Sequence, residues 1–121
     1  MLLVSFFLCG CGEVSQARRT VQKVGAEPLR KETLAVCREG FVRGGVSAVA
    51  KEQWPESARA FQPLEVFAEP DGAYLLLDSD ADGERGIFVS RIDSEKDPVC
   101  TARLQHEKLA RGVYWYDRKR L

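Results

Sequence analysis

At Leu64 the hydrophobic period of the chain changes, and that change restricts the folds open to it. Upstream, Leu29, Thr33, Val36 or Cys37, and Phe41 recur at helical spacing. Downstream, Leu64, Val66 and Ala68 alternate with Glu65, Phe67 and Glu69, which predicts a half-buried strand. Pro70-Asp71-Gly72 then reads as a turn, with Pro presetting φ at the first corner and Gly accepting the positive φ that closes it. Residues 73–77 predict the return strand, 86–92 a third and "GVYWYD" at 112–117 a fourth. A short strand over 101–104 is a further candidate, and residues 94–98 read as a polar loop. Helices followed by a meander predict an α+β fold. An N-terminal helix and a short second helix would pack on one face of an antiparallel β-meander of three to four strands.

The first helix is expected to open at Pro28, whose missing N–H is harmless in a first turn. Gly40 is expected to end it, with Gly44-Gly45 as the break. Pro55 opens the second helix, which runs to Phe61 and is stopped by Pro63. Trp54 reads as a core anchor beneath it. A chain of 121 residues holds one such domain.

The opening stretch "MLLVSFFLCGC" carries a different message. Leu2 to Leu8 is an apolar run interrupted only by Ser5, too short to span a bilayer as a helix, which takes about 20 residues. The Leu8-Cys9-Gly10-Cys11 that ends it resembles a bacterial lipobox, although no Lys or Arg precedes it. The resemblance implies lipid attachment at Cys11, cleavage after Gly10 and a stable anchor of two or three acyl chains. It also implies a bacterial envelope location facing the periplasm, with Gly12 in place of an inner-membrane retention aspartate favouring the outer membrane. Residues 1–10 would be signal peptide, 11–27 anchor and polar tether, and 28–121 the domain. A buried N-terminal strand and a Cys-Gly-Cys metal clip are the alternatives, the clip lacking further Cys or His ligands within twenty residues. The body is similar to small bacterial envelope proteins with no assigned activity, a likeness that transfers no function.

Removing Cys9 and Cys11 from the count leaves Cys37 and Cys100. An oxidising compartment then predicts a disulfide between them, closing a loop of about 64 residues worth roughly 4 kcal/mol by chain entropy. Two separate buried thiols are the alternative. The 18 basic and 18 acidic residues cancel, so no net field points to nucleic acid. The basic residues Arg18, Arg19, Lys23, Arg30 and Lys31 gather near the N-terminus, where they could rest on anionic headgroups.

"DSDADGERGIFV" is the stretch most like chemistry. Asp78, Asp80 and Asp82 with Gly83 reproduce the first half of a calcium loop, but Val89 stands where a bidentate Glu is required. A β-hairpin connection is the favoured reading, with calcium as a weak candidate. Asp78, Asp80, Asp82 and Glu84 remain candidates for meeting a basic partner. His106, the single histidine, reads as a surface residue, and no nucleophile elbow or phosphate-cradling loop is present. The expected function is a lipid-anchored, non-enzymatic binding or structural module with a protein partner in the envelope, no cofactor and no small-molecule substrate. The alternatives are a module similar to lysozyme-inhibitor lipoproteins, or a small hydrolase using the acids from Asp78 to Glu84.

Overall fold

The computed structural model describes residues 2–92 and 97–120, with side chains from residue 12 onward. The fold is α+β. Four α-helices, α1 (Leu2–Val24), α2 (Ala26–Val36), α3 (Arg38–Arg43) and α4 (Glu56–Arg59), precede most of the sheet. The strands are β1 (Ser47–Ala48), β2 (Glu65–Glu69), β3 (Gly72–Ser79), β4 (Gly83–Ser90), β5 (Leu104–Ala110) and β6 (Val113–Lys119). They form one antiparallel sheet of six strands in the order β1-β2-β3-β4-β6-β5, not three or four. Most of the loop expected over residues 94–98 lies outside the described residues.

The stretch expected as a polar tether is helical and belongs to the domain. Val14, Ala17, Val21 and Val24 fall three and four residues apart on α1, and Ala17 and Val21 are buried in the core. Gly25 ends α1 with φ at +89°, a conformation that suits glycine, and the chain turns into α2. There Leu29 and Thr33, one turn apart, are buried. The helix breaks at Cys37, and α3 continues to Arg43 before Gly44 stops it. Gly40 does not terminate the helix. It lies buried inside α3, where an added Cβ would stand 2.9 Å from the Ala68 side chain and 3.0 Å from Ser47. Its role is close approach of α3 to β1 and β2.

All the helices lie on one side of the sheet. Their core holds Val66, Ala68, Ala73, Leu75, Ile87, Val89, Val113 and Trp115 with Leu29, Cys37 and Ala58. Trp54 is half-buried against it, its Nε1 donating to the Val49 carbonyl at 3.0 Å. The other face builds a second cluster from sheet residues alone: Phe67, Tyr74, Leu76, Phe88, Tyr114 and Tyr116.

The sheet curls around this second cluster. Arg118 on β6 reaches Glu69 on β2 at 2.9 and 3.3 Å, although β3 and β4 lie between. In a flat sheet those strands would stand about 14 Å apart. Tyr74 and Tyr116, two strands apart, meet edge to face with ring centres 5.0 Å apart. Gly86 sits where β3 bulges between Leu76 and Asp78, and an added Cβ there would fall 2.0 Å from the Leu75 carbonyl oxygen. Gly72 plays a similar part. Its φ is not positive, contrary to the turn chemistry expected of it. Instead it lets β3 approach Val89 and the Phe88 ring. The turn itself is the two residues Pro70 and Asp71.

Candidate functional site

The acidic stretch forms the hairpin between β3 and β4, with Asp80, Ala81 and Asp82 at its tip. Its carboxylates are held by the chain's own donors. Asp80 Oδ1 accepts from the amides of Asp82 and Gly83 at 2.9 and 3.1 Å. Arg85 donates to Asp78 Oδ2 at 2.8 and 3.0 Å and to Asp80 Oδ2 at 2.6 Å. The Asp82 amide first, with Arg85 and the Gly83 amide, holds the Asp80 carboxyl below the usual carboxylate range. Glu84 stands 4.0 Å from both Arg118 and Arg120. Of the four acids expected to meet a partner, Asp78, Asp80 and Glu84 are therefore matched internally, and Asp82 is exposed at the tip. Among the described residues no three His, Cys, Asp or Glu are grouped to hold a metal ion. Val89, at the twelfth loop position, is fully buried in β4.

His106 is not a simple surface residue. It lies on β5, its ring 5.3 Å from Phe88 and 6.0 Å from Tyr114, and both ring nitrogens are buried without a hydrogen-bond partner among the described residues. Burial, with a smaller push from Arg118 and an opposing pull from Asp71, lowers its pKa. A ring so placed is packing for the concave face. Arg118 covers that face, its guanidinium 4.8 Å from the centre of Tyr74 and 5.9 Å from that of Tyr116. Tyr74 donates to Asp71 Oδ2 at 2.9 Å, and Tyr114 to Asp97 Oδ1 at 3.2 Å.

Comparison with known protein families, curated proteins and solved structures finds no match. The residues must therefore carry the functional reading themselves.

The expected Cys37–Cys100 disulfide is absent, and both thiols are free. Cys37 is buried at the α2–α3 junction, beside β1 and β2 at one edge of the sheet. Cys100 is exposed at the opposite edge, its sulfur 3.4 Å from the His106 amide of β5. Five strand intervals of the sheet order lie between those edges. Burial pushes the Cys37 thiol up to about 11, so it stays protonated and unreactive at neutral pH. A thiol reagent is expected to label Cys100 in the folded protein and Cys37 only on unfolding. Two thiols that stay unreactive in denaturant until reductant is added would contradict this arrangement.

One surface went unread in the sequence. Lys31, Leu34, Arg38, Phe41, Val42 and Arg91 line an open groove of about 450 Å³ on α2 and α3. Its local signal was an apolar pair, Phe41-Val42, between the basic residues Arg38 and Arg43. Arg91 comes from the end of β4, fifty residues on, and only the fold brings it there.

Proposed function

We propose that this chain is a lipid-anchored protein of the bacterial cell envelope, attached through Cys11, and that its domain is a non-enzymatic binding module. The observation that carries this reading is the place of Cys11 relative to the core. From residue 12 onward, where side chains are described, Ala17 is the first buried residue of α1, six residues after Cys11. Cleavage after Gly10 would remove the apolar run and keep Val14, Ala17, Val21 and Val24, which pack on the core. Among the described residues no helix is long and apolar enough to cross a membrane. A binding role is supported by what the polar groups do: the hairpin acids hold Arg85 and their own backbone, and His106 packs between aromatic rings.

The direction of α1 sets how an anchored domain would stand. Glu13 lies beside Leu77 and Asp78 in one groove flanking α1, and beside Arg85 and Asp117 in the other, so this end of the helix meets the hairpin end of the sheet. Arg18 reaches Glu107 at 3.2 Å midway along β5. Beyond Gly25, Arg30 donates to the Ser90 carbonyl at 3.1 Å, at the other end of the strands. The thirteen helical steps from Cys11 to Val24 span about 20 Å. The hairpin end would face the bilayer. Arg18 and Arg30 are then engaged within the domain, which does not suit the expectation that they rest on headgroups.

Labelled palmitate fed to a bacterial host is expected to mark the full chain and its Cys9→Ser variant, and to leave Cys11→Ser unmarked. Equal labelling of Cys11→Ser would overturn the anchor.

A further inference from the structure

We propose that the groove on α2 and α3 is a docking site for an acidic segment of a partner protein that carries one apolar side chain. This rests on the binding-module reading above and names the surface and the chemistry of its partner.

Two features occur together in this groove. Its floor is apolar and open: Val42 keeps 83% of its surface exposed, and Phe41 and Leu34 are half-buried beside it. What marks the site is that Val42, Phe41 and Leu34 are neighbours in one apolar patch rimmed by charged side chains. Its walls are cationic and unanswered. Arg18, Arg85, Arg118 and Arg120 each stand within ion-pair distance of a carboxylate. Lys31, Arg38 and Arg91 have no carboxylate within that distance among the described residues. Arg91 lies over the Phe41 ring at 4.7 Å, so one side of its guanidinium is occupied and its edge is left for a planar acceptor such as a carboxylate.

The arrangement selects its occupant by charge and holds it by contact. Exposed cations contribute little affinity individually, but three around one groove steer an acidic segment in and repel a basic one. Leu34, Phe41 and Val42 can bury one aliphatic or aromatic side chain between them, the usual division of labour at a hot spot. A bilayer is the less favoured occupant. The groove lies at the Ser90 end of the sheet, away from Cys11, and an anchored domain would present it outward.

The test uses the full chain and fluorescein-labelled ten-residue peptides of Asp, Glu and Gly with one central Leu or Phe, read by fluorescence anisotropy. Saturable binding is expected, at least tenfold weaker when the central residue is Ala or when the acids are replaced by Lys. Lys31→Glu with Arg38→Glu should weaken it at least tenfold, and Val42→Asp likewise, with melting temperatures unchanged because these side chains are exposed. The proposal is overturned if no peptide saturates by millimolar concentration, if the Ala peptide binds as well as the Leu peptide, or if charge reversal has no effect. It is equally overturned if vesicles containing phosphatidylglycerol bind through Lys31 and Arg38 while the peptides do not. Peptide titration does not depend on Cys11, and palmitate labelling does not depend on the groove, so the two readings fail separately.

Discussion

A chain shortened to begin at Gly25 is expected not to fold, whereas one beginning at Gly12 keeps a cooperative unfolding transition. The sequence invites the shorter version, because residues 12–24 are polar in composition. The structure puts four apolar residues of that stretch on the sheet. Val21 and Ala17 are 2% and 4% exposed, and Val14 and Val24 pack at the margin of the same core. Burying a valine contributes about 1.5–3 kcal/mol when complete, so the stripe is worth roughly 5 kcal/mol. Small domains are stable by about 5–15 kcal/mol in total. The deletion would also expose Trp115, which α1 flanks, and break the Arg18–Glu107 contact, an exposed pair of little consequence. Circular dichroism and urea titration of the two truncations decide the matter. Equal midpoints for both would mean that α1 is an appendage. Val21→Asp in the full chain gives a finer test and should destabilise strongly, because it places a carboxylate in an apolar site.

The same stripe shows how far the fold could be read in advance. Val14, Ala17, Val21 and Val24 hold helical spacing, but the residues are small and the intervening faces are polar, so composition obscured the period. The strand runs "AYLLL", "GIFV" and "VYWY" were legible as strands and misleading about faces. Both sides of β3, β4 and β6 are buried, one beneath helices and one within the curl, so they read as continuous apolar runs. β5, "LQHEKLA", sits at an edge with polar residues on both faces, and β1 has only two residues; neither carries enough pattern to stand out. The α+β order survived these gaps because the change of period at Leu64 was sharp. The hairpin at Asp80 was legible from Asp and Gly. Arg85, which answers Asp78 and Asp80, lies in the same stretch, but Arg118 and Arg120, which stand beside Glu84, come from β6 and its end and were not legible. The cysteine pairing failed for a related reason: parity says that two thiols remain, and only topology says that they occupy opposite edges.

Two tyrosines in the curl are expected to answer the same substitution in opposite ways. Tyr74 is fully buried at the centre of the aromatic cluster, against Phe67, Phe88 and Tyr116, and its hydroxyl donates to Asp71. Tyr116 is also fully buried, but its hydroxyl has no partner among the described residues. Tyr74→Phe removes a hydrogen bond to a carboxylate and should cost about 1–2 kcal/mol, toward the low side because exposed Asp71 regains water. Tyr116→Phe removes a desolvated, unpaired hydroxyl and should leave stability unchanged or raise it by up to about 1 kcal/mol. Tyr74→Ala empties the centre of the cluster and should cost about 3–5 kcal/mol. Urea midpoints at pH 7 with an unchanged m-value give these differences. Alkaline pH then separates the hydroxyls from the rings. Burial, aided by Asp71 at Tyr74 and by Glu84 at Tyr116, raises both phenol pKa values above their ordinary value. Below about pH 10 both phenols are protonated whether the chain is folded or unfolded, and pH does not matter to them. Above it the unfolded chain ionises while the folded one holds its protons, so stability falls by about 1.4 kcal/mol per pH unit for each tyrosine. Each Phe variant should remove one share of that fall, and the double variant both. If Tyr116→Phe costs as much as Tyr74→Phe at pH 7, the Tyr116 hydroxyl has a partner and its place in the curl is wrong. If the slope above pH 10 stays the same in the double variant, neither phenol is as buried as the curl requires.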